Sequence, residues 1–241
     1  MAEPLLKLDG VQTHIGHYHI LHGVDLVVPR NQLTMLLGRN GAGKSTTLRT
    51  IMGLYTASHG SVTFDGEDIT KWPTPKIATS GIAFVPEEMG IFGLLTVQEN
   101  MVIAARSGPM DEQRLEWIFG MFPALKKFWS KPAGKLSGGQ KQMLAIARAI
   151  IEPRKLLIVD EPSKGLAPAI INNIIEAFNQ LKETDTTILL VEQNFNFAKS
   201  VGDSVAVMDD GKIIHNGTMA DLASDTELQT RLLGLSLDAH Q

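Results

Sequence analysis

Residues Thr34–Met52, TMLLGRNGAGKSTTLRTIM, run from an apolar strand through Gly38, Arg39, Asn40, Gly41, Ala42 and Gly43 to Lys44, Ser45 and Thr46, which open a helical run. Glycines let the backbone turn its N–H groups inward around an anion, and the helix that follows adds the positive end of its dipole. The spacing between strand and helix is that of a phosphate-binding P-loop. In such a loop Lys44 supplies a point charge to the β- and γ-phosphates, and the Ser45 hydroxyl reaches Mg²⁺.

A P-loop needs an acidic partner, and Leu156–Glu161, LLIVDE, supplies one. Its apolar residues carry adjacent carboxylates to the end of a buried strand, a costly placement without a cation to receive them. Asp160 suits a contact to Mg²⁺, direct or through a water. Glu161, one residue on and turned the other way, can polarise an attacking water.

A second anion site is written into Leu136–Gln142, LSGGQKQ, which opens a helix with Met143, Ile146, Ala147 and Ile150 on one face. Ser137 is a candidate cap, but Gly138, Gly139 and Gln140 follow where a first turn usually carries acids. A helix start without acids, and with glycines that permit close approach, is itself a phosphate site. The chain has one P-loop, however, and that loop already surrounds the phosphates of its own nucleotide. Two phosphate sites and one nucleotide per chain imply two chains head to tail, each offering LSGGQ to the γ-phosphate held by the other.

The rest of the chain fits a single α/β domain. Its 241 residues, 44% of them hydrophobic, suffice for one large core. β-rich runs recur at 24–28, 33–37, 61–64, 82–85, 156–159, 187–191, 204–208 and 212–215, so strands dominate both ends. Asp65-Gly66 and Asp210-Gly211 are hairpin signals, so part of the sheet is antiparallel. LLIVD and TILLVE are continuous apolar runs, the mark of parallel strands covered on both faces. A helix starting at Pro168 lines up Ile171, Ile174, Ile175, Phe178 and Leu181. From about Glu88 to Ile151 helical patterns replace strands, which predicts a helical insert, residues 88–151, within a core formed by 1–87 and 152–241.

Composition excludes several function classes. A net charge of −4 with scattered Lys and Arg leaves no nucleic-acid footprint. The absence of cysteine removes disulfide and thiol chemistry. MAEPLLKL is no signal peptide, and no segment approaches 18 unbroken apolar residues, so the expectation is a chain that neither leaves the cell nor crosses a membrane.

GRNGAGKST, LSGGQ and LLIVDE in this order resemble the ATP-binding-cassette family, over essentially the whole chain. The resemblance implies a RecA-like P-loop NTPase core with an antiparallel β subdomain, an inserted α-helical subdomain carrying the signature helix, and a nucleotide-sandwich dimer. VPEEMGIFGLLTVQEN (85–100), DEPSKGLAP (160–168) and LLVEQN (189–194) are similar to the smaller cytoplasmic ATPase of branched-chain (hydrophobic) amino acid importers. That likeness implies ATP and Mg²⁺ as cofactors and a second ATPase subunit, homo- or heterodimeric, as partner. It also implies permease subunits, indirectly a solute-binding protein, and a place on the cytoplasmic face of the membrane.

Carried over by motif, Glu87 joins Ser45 and Asp160 at the metal, and Gln193 joins Glu161 at the γ-phosphate. The family usually has Gln at the first of these positions, His at the second, and Asp where this chain has Ala167. Slower hydrolysis, or ordinary variation within this branch, are the two readings of those departures. Ile15 stands where the family usually stacks an aromatic ring on adenine.

His14, His17, His19 and His22 match no standard zinc spacing and suit a solvated strand face. Trp117, Phe119, Phe122, Phe128 and Trp129 are expected to pack the insert, and Lys126, Lys127, Lys131 and Lys135 to solvate it. Part of the run Met89, Ile91, Phe92, Leu94 and Leu95 is expected in the subdomain core. The family implies that the remainder lines a groove for a short permease helix. Three further readings are an ABC ATPase subunit for the transport of urea or short amides, a nucleotide-gated module with little hydrolysis, and a cassette protein acting on ribosomes or DNA.

Overall fold

The computed structural model describes residues 3–234. Strands β1 (Leu6–Ile15) and β2 (Tyr18–Val28) form a hairpin, and β3 (Leu33–Leu37) leads through the glycine loop into helix α1 (Lys44–Ile51). Next come β4 (Ala57–Phe64), the short β5 (Glu67–Asp68), α2 (Thr74–Thr79) and β6 (Ile82–Val85). Between β6 and the next strand the chain forms α3 (Val97–Ala104), α4 (Glu112–Met121), α5 (Pro123–Lys127) and α6 (Gly138–Ile150). The sheet resumes with β7 (Leu156–Asp160), then α7 (Pro168–Lys182), β8 (Thr187–Glu192), α8 (Phe195–Val201), β9 (Ser204–Asp209) and β10 (Lys212–Thr218). Helices α9 (Met219–Ser224) and α10 (Thr226–Leu233) follow.

The strands make two sheets. An antiparallel one has the order β2-β1-β4-β5, and a larger one has the order β10-β9-β3-β8-β7-β6, parallel except for the β9–β10 hairpin. Alternation along the apolar strands sorts the core. Leu33, Met35, Leu37, Leu157, Val159, Ile188 and Leu190 face the helices, including Phe178 of α7 and Ile146 of α6. Leu36, Leu156, Ile158, Leu189 and Val191 face the other way, toward α1 and the antiparallel sheet. A strand apolar on both sides therefore has two cores to fill. The Asp65-Gly66 turn joins β4 to β5 and Asp210-Gly211 joins β9 to β10, all four residues at positive φ as tight hairpin turns require.

Two sequence expectations are corrected. Strands do not dominate the C-terminal end, where α9 and α10 are capped by Thr218 and Asp225 and bury Leu222 against the core. At the other end, β1 and the first half of β2 exceed the run read from Val24. Bulges at Leu8/Val11, Val11/Gln12 and Thr13/His14 break the period-two pattern that reveals a strand. In the 88–151 segment the one β feature among the described residues is an isolated Thr96–Pro132 bridge. Phe122 is fully buried there, and Phe119 meets Trp129 edge to face at 5.1 Å.

Phe178 is fully buried between the parallel sheet and α8, with Phe197 edge-on at 6.2 Å. Phe178→Ala is expected to cost about 3–5 kcal/mol of unfolding free energy in urea, through lost burial and a residual cavity.

Candidate active site

Parallel neighbours point their C-terminal ends the same way, so the loops after Leu37, Asp160, Glu192 and Val85 open on one edge of the sheet. In the first of them a Cβ on Gly38 would collide with the Met208 carbonyl, and one on Gly43 would press on Leu21 at 3.0 Å. Gly41 and Gly43 hold φ of 83° and 106°, the left-handed backbone that turns the loop. Arg39 and Asn40 are exposed, Ala42 is buried, and Thr47, one turn into α1, returns its hydroxyl to the Gly43 carbonyl at 3.0 Å. Lys44 Nζ, nearly buried, donates to the carbonyls of Gly38 at 2.9 Å and Arg39 at 3.1 Å, and lies 3.5 Å from Glu161 Oε1. Helix α1 has no acid in its first turn, so the positive end of its dipole faces the loop uncompensated.

Asp160 is 1% exposed, and its Oδ1 has no hydrogen-bond partner. Burial pushes its carboxyl up to about 6. The Ser45 hydroxyl pulls the other way, while the charges of Glu161 and Glu87 push in the same direction as burial. Glu161 sits at φ +48°, a strained conformation for a side chain of its size. Its Oε1 accepts from Gln193 Nε2 at 2.5 Å, and Gln193 Nε2 also donates to Asn40 Oδ1 at 2.7 Å. Gln193 thereby ties the β8 loop to both the P-loop and Glu161. Among the described residues no cluster of three His, Cys, Asp or Glu side chains could hold a metal alone. Asp160 with its unsatisfied oxygen, beside Ser45, is half of an oxygen cage that a phosphate-bearing ligand would complete.

Two participants escaped the sequence reading. Glu192, 2% exposed, accepts Ser163 N on Oε1 at 2.9 Å and the N–H groups of Gln193 and Asn194 on Oε2 at 3.0 and 3.2 Å. It pins the loop carrying Glu161 to the loop carrying Gln193. The signal was present, since TILLVE carries a carboxylate to the end of a buried strand as LLIVDE does. The second, Lys164, donates to Glu87 Oε1 at 2.5 Å and lies 3.6 Å from Glu161 Oε2. The Glu87 hydrogen bond and charge raise its ammonium above the ordinary lysine value.

Ser137, Gly138, Gly139 and Gln140 stand apart from this network of hydrogen bonds and ion pairs. The start of α6 is not bare: Ser137 Oγ accepts Gln140 N at 3.3 Å and Gln140 Oε1 accepts Ser137 N at 3.0 Å, a neutral capping box. The first turn still carries no acid. The glycines differ, because a Cβ on Gly139 would strike Ile170 Cγ2 of α7 at 2.6 Å, whereas one on Gly138 meets nothing nearer than Leu166 at 3.9 Å. Gly139 is required by packing within the chain, and Gly138 is left to whatever approaches from outside.

Ile15 lies half-exposed at the tip of the β1–β2 hairpin, paired with Tyr18, which is 76% exposed. His14 stacks on His19 at 4.1 Å, and His19 contacts His22 at 4.2 Å. Desolvation and its two neighbours lower His19 below the ordinary imidazole value. In the run after Glu87, Phe92 and Leu94 are exposed while Met89 and Ile91 pack against the helix-facing core.

The family described as ABC transporter matches residues 21–164. The chain is 39% identical to the high-affinity branched-chain amino acid transport ATP-binding protein BraG of Pseudomonas aeruginosa, over 95% of this chain and 100% of that one. It is 36% identical to the probable branched-chain amino acid transport ATP-binding protein LivF of Archaeoglobus fulgidus, over 90% and 93%. The ADP conformation of MJ1267, an ATP-binding cassette of an ABC transporter, superposes with a TM-score of 0.81 at 27% identity, over 97% of this chain and 100% of that one.

The Asp160 carboxyl holds a proton in the folded chain between about pH 4 and about pH 6, where the unfolded chain has lost it. Its ionisation therefore removes stability as pH rises through that window, by on the order of 3 kcal/mol at neutral pH. Without nucleotide or divalent cation, Asp160→Asn is expected to match the parent's urea midpoint near pH 4 and exceed it near pH 7.5. Coincident midpoints at both pH values would refute this burial cost. Gly139→Ala is expected to lower the melting temperature by several degrees through the Ile170 clash, and Gly138→Ala to leave it within about a degree.

Proposed function

The chain belongs to the ABC transporter family, and from that membership we propose that it is the ATPase subunit of an importer of branched-chain and other hydrophobic amino acids. It would work in a pair of such subunits beneath membrane permeases. The amino-acid assignment is supported by BraG and LivF, likenesses that run nearly end to end. The chemistry is supported by one observation above others: Lys44, Glu161, Gln193 and the unpartnered Asp160 oxygen meet at the mouth of a single glycine loop.

In this reading the Gly38–Gly43 backbone and Lys44 bind the phosphates, and Ser45 and Asp160 hold Mg²⁺, with Glu87 nearby. Mg²⁺ supplies charge neutralisation to the β- and γ-phosphates. Glu161 accepts hydrogen bonding from the attacking water, oriented by Gln193, whose amide donates without carrying charge. Ile15 covers the adenine. Ser137, Gly138, Gly139 and Gln140 of one subunit meet the γ-phosphate of the other, so ATP closes the pair and hydrolysis releases it.

Among the described residues no helix is long and apolar enough to cross a membrane, and the partners proposed here are permease subunits. A cavity of about 370 Å³ between the core and the helical segment supports their docking. Phe84, Pro86, Met89, Ile103 and Arg148 line it, and the exposed Phe92 ring lies 5.1 Å from the Arg148 guanidinium. A permease helix seated there would place the pair at the cytoplasmic face of the membrane. The subunit divides as 1–87 with 152–241 for nucleotide and 88–151 for the signature and docking.

Glu161→Gln is expected to keep ATP affinity within about threefold, cut phosphate release by roughly 10²–10⁴-fold and accumulate an ATP-dependent dimer in sedimentation. Lys44→Ala should abolish nucleotide binding. In proteoliposomes with its permeases, hydrolysis should rise when the binding protein carries leucine or valine. Stimulation by urea or a short amide alone would overturn the solute assignment.

A further inference from the structure

Lys164 holds two carboxylates that the reaction needs elsewhere. Its ammonium donates to Glu87 Oε1 at 2.5 Å from beyond β6, and stands 3.6 Å from Glu161 Oε2 beyond β7. Lys44 approaches the opposite oxygen of Glu161 at 3.5 Å. The two lysines differ in freedom, since the Lys44 side chain is 4% exposed and that of Lys164 is 55% exposed on a flexible stem. An ion pair as open as Lys164–Glu87 contributes about 0–1 kcal/mol to stability, too little to explain this bridge as structural reinforcement. Its weight falls on the local charge balance, where Glu87, Asp160 and Glu161 already share one field before a polyphosphate adds its own charge.

Resting on the reading of Glu87 as a metal-side residue, we propose that Lys164 is a positioning residue that holds Glu87 and Glu161 as an internal counter-cation. It yields Glu87 when Mg²⁺ arrives with the nucleotide. Metal entry is then an exchange of one cation for another rather than the filling of a bare acidic site. The loop geometry allows the exchange, because Lys164 N bonds the Glu161 carbonyl at 3.2 Å and Gly165 follows at φ +70°. The backbone turn is fixed while the side chain reaches outward. Ammonium and Mg²⁺ also differ in what they ask of Glu87: a lysine needs one oxygen at hydrogen-bond distance, whereas Mg²⁺ needs an octahedron of oxygens.

The test is ADP binding by the full chain, by calorimetry, with Mg²⁺ and with a chelator. Lys164→Met is expected to weaken metal-free ADP binding about tenfold, the effect of about 1.4 kcal/mol of lost attraction. It should change Mg-ADP binding less than about twofold, so that the Mg²⁺ dependence steepens. Lys164→Arg should restore the parent ratio. In a Glu87→Gln background the Lys164→Met effect should shrink to about twofold or less, and Glu87→Gln alone should flatten the Mg²⁺ dependence, which keeps the proposal testable if Lys164→Met folds poorly. Equal loss with and without Mg²⁺, or a Lys164→Met effect that persists in the Glu87→Gln background, overturns the exchange. Lys44→Ala separates the two readings: if it leaves ADP binding intact, the nucleotide site itself is misassigned, whereas Lys44-dependent binding with no Lys164 effect removes only this proposal.

Discussion

Everything at the catalytic edge depends on two adjacent carboxylates held at the end of a strand that is buried on both faces. The residues before them, Leu156–Val159, fill two separate cores, so Asp160 and Glu161 cannot retreat into solvent without unpacking both. The energy of two-sided apolar burial thereby keeps an incompletely bonded Asp160 oxygen in place. Lys44 and Gln193 then arrive from other parts of the chain, and Lys164 from the same loop, as the charges and donors such a placement demands.

The same loop ties the chemistry to the surface where a second subunit is proposed to sit. From Glu161, at φ +48°, the chain passes Ser163, bonded to buried Glu192, and Lys164, paired with Glu87. It then reaches Leu166 beside Gly138, and Ile170 against Gly139. A continuous run of chain therefore links Glu161 to the residues packed against the start of α6. Glu192 matters most in this path: three backbone N–H groups converge on one carboxylate and join the β7 and β8 loops into a single body.

The departures from the general family pattern change the charge around the phosphate loop. Glu87 adds a negative charge where a neutral side chain is usual, and Lys164 meets it directly. Gln193 brings no proton to exchange, yet its amide still reaches both Glu161 and Asn40. Ala167 leaves α7 without a side-chain cap or an acid in its first turn, so the start of that helix, like those of α1 and α6, presents an uncompensated positive dipole end.

Read along the chain alone, the α/β class, the parallel core, the phosphate loop and the acidic strand end are already legible. Each of these is a local pattern: glycine spacing, a continuous apolar run, a carboxylate at its close. The linear pattern did not reveal β1, where bulges interrupt the alternation, nor the closing helices α9 and α10, which at 6 and 8 residues are too short to show a repeated helical period. Which side chains meet is settled by how the elements pack. Folding set Lys164 against Glu87, Gln193 against Glu161 and Gly139 against Ile170, pairs far apart in the chain whose distances follow from the packing of strands and helices rather than from any spacing along it.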